Sequence, residues 1–275
     1  MLDPIPLSVF VITFNEEARL GRTLDAVSWA DEIVVLDSGS TDATREIAAA
    51  RGARVEQADW PGYGPQKARA EALCRHDWVL NLDADEVVTP TLAAEIRSLF
   101  RNQGPEGPPP GAYRLRILNV YPGDARPRPL AADYDVVRLY HRAAGHYRPH
   151  PLFDRVELEE GIARGRLRAP VHHYPFQSWD ALVAKENRYT SYVAATARPR
   201  PALLLRVRLV TEFPLVFLKA WLLRGHILGG WKGLAFSIVV AFTRTLRVIK
   251  LLERATGAGA AENDSPMKKG VDREG

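Results

Sequence analysis

Three short apolar runs leave this chain few ways to fold: Leu7-Ser-Val-Phe-Val-Ile-Thr13, Glu32-Ile-Val-Val-Leu-Asp37 and Trp78-Val-Leu-Asn-Leu-Asp83. Each has the length of a strand and is apolar on consecutive positions, the pattern of a strand covered on both faces. Helix punctuation lies between them. Asn15 or Thr13 can start a helix from Glu16 to about Val27, with Glu16 and Glu17 in the first turn, where the helix dipole favours negative charge. Thr41 or Asp42 caps a helix to Arg51, and Gly52 ends it. Arg54-Val-Glu-Gln57 is a short third strand, and a helix from about Gln66 to Arg75 follows Trp60-Pro-Gly-Tyr-Gly-Pro65. Thr89-Pro90 opens another, with Pro90 where its missing N–H costs nothing. The alternation of strand and helix predicts an α/β domain with a mainly parallel sheet.

Ligands of such sheets sit outside the carboxyl ends of the strands. Those ends are Thr13-Phe14-Asn15, Asp37-Ser38 and Asp83-Ala84-Asp85, all polar. Asp83 and Asp85 are two apart, so an extended backbone points both the same way. Carboxylates held close repel unless a cation or a raised pKa neutralises them, and oxygen ligands of this kind suit a hard divalent ion that also grips phosphates. As an isolated tripeptide, Asp-x-Asp is more often a helix cap. Neither G-x-G-x-x-G after the first strand nor G-x-x-x-x-G-K-[ST] occurs, which argues against a dinucleotide-binding oxidoreductase and a P-loop NTPase.

The chain has 275 residues, of which 46% are hydrophobic and 25% charged, an ordinary globular composition. Its single cysteine, Cys74, excludes a disulfide framework or a Cys-rich zinc site. The amino terminus lacks a basic region followed by an apolar core, so a cytoplasmic location is expected. The net charge of +4 divides unevenly: −8 over residues 1–110 and +12 over residues 111–275.

Asn102–Gly111 reads as a Pro/Gly linker or exposed loop. Beyond it, Tyr113–Asn119, Asp135–Tyr140, Arg155–Leu158 and Leu167–His172 suggest a small, partly antiparallel extension of the sheet, and Ser178 caps a helix through about Ala197. Residues 203–224 and 231–254 are strongly apolar, yet charges interrupt both before the roughly 20 apolar residues of a spanning helix. Residues 198–254 carry 11 basic and 2 acidic residues. This predicts an in-plane amphipathic hairpin on an anionic membrane surface, with no nucleic acid as partner; an ordinary pair of core-covering helices is the plain alternative. The expected domains are a catalytic domain at 1–175, a helical membrane-associating region at 176–255 and a disordered tail at 256–275.

Thr13-Phe-Asn-Glu-Glu17, Val34-Val-Leu-Asp-Ser-Gly-Ser-Thr-Asp42 and Leu82-Asp-Ala-Asp-Glu86 together resemble the family-2 glycosyltransferases, nucleotide-sugar enzymes of the GT-A fold. Ser28-Trp-Ala-Asp-Glu-Ile-Val-Val-Leu-Asp-Ser-Gly-Ser and Asp59-Trp-Pro-Gly-Tyr-Gly-Pro-Gln-Lys67 resemble a narrower group, the lipopolysaccharide core-biosynthesis β-1,4-glucosyltransferases. The likeness spans roughly residues 6–255. It implies a sheet with helices on both faces and a UDP-sugar donor, met by Thr13, Asn15 and Glu16 at the nucleoside and Asp37 at the base. It further implies Lys67 at the base or diphosphate, Asp83 at the ribose, and Asp85 on Mg²⁺ or Mn²⁺.

The reaction implied is inverting hexosyl transfer, with glucose from UDP-glucose as the leading donor. A lipid-anchored saccharide such as lipopolysaccharide inner core is the acceptor, at the inner face of the cytoplasmic membrane. A polyprenyl phosphate, an exopolysaccharide or a peptide is an alternative acceptor, and a catalytically dead nucleotide-sugar-binding adaptor is a different class of reading. The general base expected from the resemblance is Asp154, with Glu157 and Asp133 as fallbacks. Family members carry His where Phe153 stands, and a salt bridge of Asp154 to Arg155 or Arg148 is the plain alternative. The pair His172-His173 reads as core or diphosphate contacts, or as a second metal ligand. Arg138 and Arg142 are placed facing a diphosphate or an anionic acceptor, and Trp179 and Tyr189 in the core. Oligomeric state is left open.

Overall fold

The computed structural model describes residues 5–101, 103, 107–129, 131, 133–148, 150 and 154–256. The expected tail after Thr256, most of the Pro/Gly stretch at 102–106, Phe153 and the side chain of Asp133 lie outside the described residues. The chain divides into two compact units. One comprises residues up to Leu118 with Asp133–His173; the other comprises Asn119–Ala132 with the chain from Tyr174.

The first unit is built on an eight-stranded sheet. Its strands are β1 (Ile5–Thr13), β2 (Ala30–Asp37), β3 (Arg54–Gln57), β4 (Trp78–Asp83), β5 (Glu86–Val88), β6 (Gly111–Asn119), β7 (Asp133–His141) and β10 (Ala163–His173). The spatial order is β3-β2-β1-β4-β7-β6-β10-β5. β1 runs parallel to β2 and β4, and β2 to β3, whereas β7 is antiparallel to β4 and β6. The α/β class with a mainly parallel amino-terminal half is thus what the chain has. Strands β8 (Gly145–Tyr147) and β9 (Val156–Leu158) form a separate ribbon.

Helices α1 (Leu20–Asp25), α2 (Thr44–Ala49), α3 (Tyr63–Ala72) and α4 (Pro90–Leu99) complete this unit. Helix α4 starts as expected, Thr89 accepting the Leu92 N–H at 3.2 Å. Helix α1 is shorter than the predicted 16–27, because Glu16 and Glu17 are drawn into the turn after β2: the Glu16 N–H donates to Thr44 Oγ1 at 2.7 Å. Helix α3 begins three residues early, at Tyr63. Two strands, β5 and β8, were not expected. Each is three residues long and is defined by its partner, distant β10 for β5 and the neighbouring β9 for β8, rather than by a local pattern. Around β1, β2 and β4 both sheet faces are packed. On one, Val9, Val11, Leu80 and Leu82 meet side chains of α1 and α4; on the other, Phe10, Val34, Val79 and Tyr140 pack together.

The second unit contains α5 (Trp179–Thr196), α6 (Ala202–Leu218) and α7 (Gly230–Thr256). Ser178 caps α5 by accepting the Ala181 N–H at 3.0 Å. Helix α6 packs along α7 and continues through Pro214 into a π-helical turn, Lys219–Leu223. Glu212, almost buried, joins the two helices by accepting from Arg208 at 2.7 Å and Arg244 at 3.2 Å. Lys250 on α7 reaches α5 at Asn187 Oδ1, 2.7 Å away. Tyr189 was expected in the core; it is 59% exposed, while Trp179 is half-buried against Trp231. Among the described residues, no helix is long and apolar enough to cross a membrane.

Candidate active site

Parallel register brings the expected strand ends together, since Thr13 pairs with Asp37 and Ile12 with Asp83. The Thr13 hydroxyl is buried and has no hydrogen-bond partner among the described residues. Asn15 follows with φ +54°, a left-handed conformation that its short polar side chain tolerates. Its Oδ1 accepts the Thr41 N–H at 2.9 Å and its own N–H donates to Ser40 Oγ at 2.8 Å, tying the end of β1 to the turn after β2. Asp37 organises that turn from within. Its Oδ2 accepts the N–H groups of Gly39 and Ser40, both at 2.8 Å, and its Oδ1 accepts the Ser40 hydroxyl. Asp37 is fully buried, and the turn engages both of its carboxylate oxygens.

Ser38 and Gly39 of the same turn line a cavity of about 420 Å³ with Gln57, Ala58, Asp59 and Arg69. Gln66 on α3 is fully buried, donates to Ser38 Oγ at 3.1 Å, and leaves its Oε1 without a partner. Two buried polar atoms near the Asp37 turn, Thr13 Oγ1 and Gln66 Oε1, are therefore unsatisfied among the described residues, and such groups in a folded protein call for an explanation.

Lys67, expected as a base or diphosphate contact, is only 1% exposed and bridges two carboxylates. Its Nζ lies 2.8 Å from Asp83 Oδ1 and 2.8 Å from Asp154 Oδ2, with the Tyr147 ring 5.7 Å away. Arg138 holds the opposite oxygen of Asp83 at 2.8 Å and reaches Glu86 at 3.1 Å and the Asn81 side-chain carbonyl. It is buried inside this network, so it does not face an anionic ligand as expected; the Asp83 and Glu86 carboxylates claim its charge. Arg142 pairs instead with Asp77 at 2.9 Å.

Burial opposes charge throughout the cluster. Against it, Arg138 and Lys67 hold the Asp83 carboxyl well below the usual range. The Lys67 ammonium is held above its ordinary value, Asp83, Tyr147 and Asp154 outweighing burial and Arg138. For Glu86 burial wins and its pKa rises.

Asp85 stands apart from that cluster. Its Oδ2 is approached by Arg19 at 3.3 Å and by His173 Nε2, from the end of β10, at 3.4 Å. Arg19 also engages the buried carboxylate of Glu16, Nε to Oε2 at 2.6 Å, so Glu16 points into an ion pair rather than into the cavity. Burial lowers the His173 pKa, but its hydrogen bond with Asp85 more than offsets this and raises it. Among the described residues there is no group of three His, Cys, Asp or Glu that could hold a metal by itself. Asp85 and His173 fit a Mg²⁺ or Mn²⁺ ion that takes its remaining ligands from water and substrate oxygens, the usual habit of such ions at phosphates.

Of the expected bases, Asp154 is half-exposed beside Lys67 and pairs with neither Arg155 nor Arg148. Glu157 is the residue that pairs with Arg148. Sequence reading assigned no role to Arg19, Gln66 or Glu86. Glu86 and Gln66 carried a signal, being the next residues of the acidic and Gly-Tyr-Gly-Pro motifs; Arg19 carried none.

Residues 8–107 match the family described as Glycosyl transferase family 2. A glycosyltransferase of Rickettsia prowazekii is 36% identical over 253 residues, covering 89% of this chain and 86% of its own. The lipopolysaccharide core biosynthesis glycosyltransferase LpsC of Rhizobium meliloti is 27% identical, over 92% of this chain and 94% of its own. The crystal structure of glucosyl-3-phosphoglycerate synthase from Mycobacterium tuberculosis with Mn²⁺, UDP and glucosyl-3-phosphoglycerate is 20% identical, covering 71% of this chain and 81% of that one, with a TM-score of 0.38.

Proposed function

This chain belongs to glycosyl transferase family 2, and from that premise we propose that it is an inverting, metal-dependent hexosyltransferase, moving glucose from UDP-glucose to a membrane-anchored saccharide. The observation that carries the reading is the buried Lys67, which holds Asp83 at the end of β4 and Asp154 before β9 at one ammonium group. A donor-side carboxylate and an acceptor-side carboxylate thereby share one point. In this reading residues 1–100 bind the donor, 111–175 present the acceptor, and 176–255 associate with the membrane.

Thr13, Asn15 and the Asp37 turn hold the nucleoside beside the cavity, and Asp83 takes the ribose. Glu16 acts through Arg19, and Lys67 orients Asp83 and Asp154 instead of meeting the diphosphate. Asp85 and His173 would hold a divalent ion, which would offset charge growing on the departing diphosphate. Asp154 accepts the proton of the acceptor hydroxyl as its oxygen bonds to the anomeric carbon. The bond from that carbon to the phosphate oxygen breaks, and UDP leaves with the electron pair. General-base assistance of this kind is worth typically about 10²–10⁴-fold. Similarity to LpsC, a lipopolysaccharide core biosynthesis glycosyltransferase, supports a lipopolysaccharide-core acceptor, and the reading sets the reaction at the inner face of the cytoplasmic membrane.

The test is acceptor-free hydrolysis of UDP-glucose with Mn²⁺, measured for wild type and Asp85→Ala. Mn²⁺-dependent hydrolysis lost in the variant supports the reading. UDP binding indifferent to both metal and Asp85 would sink the site assignment.

A further inference from the structure

Beyond the donor site, one face of the sheet carries a lattice of arginines. Val79 pairs across the ladder with Tyr140, and Tyr140 with Ala112. Cross-strand partners share a face, as do alternate residues of a strand. Arg114 and Arg116 therefore lie on the face that also bears Val79, Asn81 and Asp83. On β10, Leu167, Ala169 and Val171 are buried in the same core as Leu115 and Ile117 of β6, which turns Arg164, Arg166 and Arg168 to the arginine side. The ion pair of Arg166 with Asp135, at 3.0 Å, agrees, because Asp135 is the ladder partner of Arg116. Arg114, Arg164 and Arg168 are exposed, and their side chains have no partner among the described residues.

Neighbouring strands lie roughly 4.8 Å apart and alternate residues roughly 6.7 Å, so the guanidinium groups form a close array. Asp135 is three residues from Arg138, roughly 10 Å along the strand, and Arg138 binds Asp83 at 2.8 Å. The array thus starts near the site and runs away from it over the half assigned to the acceptor.

From this charge we propose that the β6–β10 face binds phosphate groups borne by the saccharide acceptor, an inference that rests on the glycosyltransferase reading above. Planar guanidinium forks match phosphate oxygens two at a time. The face also carries Ala112, Leu118, Val137, Pro170, Asp135, the buried Tyr140 and the half-buried His172, with none of the exposed large apolar or aromatic side chains of this unit. It therefore offers no anchor for a bilayer and no platform for stacking bases, which fits a hydrophilic polyanion.

The experiment compares binding of a phosphorylated maltooligosaccharide with that of the same sugar after phosphatase treatment, by calorimetry on the full chain. Wild type should prefer the phosphorylated form at least tenfold. The double variant Arg114→Gln/Arg168→Gln should lose that preference while keeping UDP-glucose hydrolysis and adsorption to phosphatidylglycerol vesicles. A second pair, Arg114→Lys/Arg168→Lys, keeps the charge without the fork and should retain only part of the preference. Equal binding of both sugars by wild type, an undiminished preference in both variants, or a loss of vesicle adsorption in its place would overturn the inference. Absence of UDP-glucose hydrolysis in wild type would bring down the parent reading with it, whereas intact hydrolysis with phosphate-indifferent binding strikes this inference alone.

Discussion

Lys67 and Leu223 show opposite uses of solvent: the lysine is 1% exposed and the leucine 83%. In the unit that carries the site, Lys67, Arg138, Asp83 and Glu86 are taken out of water and answer one another's charge. In the helical unit, Leu203, Val207, Val210, Leu223 and Trp231 face solvent while Glu212 is buried between arginines. A buried polar network is costly unless complete, so it fixes a unique arrangement of groups. Exposed apolar stripes fix nothing by themselves and are the mark of a surface waiting for an apolar phase or partner. In the proposed reading the first unit recognises a small polar ligand and the second attaches to a membrane.

The largest expected effect breaks the buried side of this contrast. Lys67→Met leaves Asp83 and Asp154 short of a counter-charge and should cost about 3–5 kcal/mol in urea unfolding. Arg75→Met, which removes a surface pair with Asp31, should cost no more than about 1 kcal/mol. Equal costs would mean that Lys67 is solvated. Next, Asp154→Asn should keep UDP binding while lowering the transfer rate by about 10²-fold or more, read from single-turnover kinetics; an unchanged rate moves the base elsewhere.

On the helical side, Leu203→Ser/Val210→Ser/Leu223→Ser should weaken partition onto anionic vesicles at least tenfold, since even one aliphatic side chain taken out of water is worth about 1.5–3 kcal/mol. Melting should barely move, because none of these side chains is packed. The smallest effect is a pH dependence. Burial, and then Arg128 and Arg224, depress the His226 pKa from 6.5 to about 4. Between those values the unfolded chain binds a proton that the folded chain does not, so the unit loses stability as pH falls from 6.5 towards 4. His226→Gln should flatten that slope in thermal melts followed by circular dichroism, an effect of about 1 kcal/mol.

Much of this contrast was legible in the chain itself. The consecutive apolar runs announced β1, β2 and β4, and Thr89-Pro90 and Ser178 announced α4 and α5, because those signals are local. Strand β5 was not legible: three residues between an acidic turn and a helix have no period, and only β10, far along the chain, makes them a strand. Among the site residues, spacing pointed to Asp83 and Asp85 but not to their partners. Arg19 reads as solvated until tertiary packing closes over it, whereas Lys67 and Arg138, expected at a ligand, pair with buried carboxylates instead. Tyr189 failed the other way, since helical spacing marks a face without saying whether anything covers it.

The buried charge cluster also constrains how such a chain can drift. A change at any one of Lys67, Asp83, Glu86 or Arg138 strands the charge of another in the interior, so these positions are expected to change together. Among relatives that replace one of them, a compensating replacement should appear at another, with the balance of cations and anions kept. The exposed leucines of the helices are under no such constraint and are free to exchange for any apolar residue one at a time.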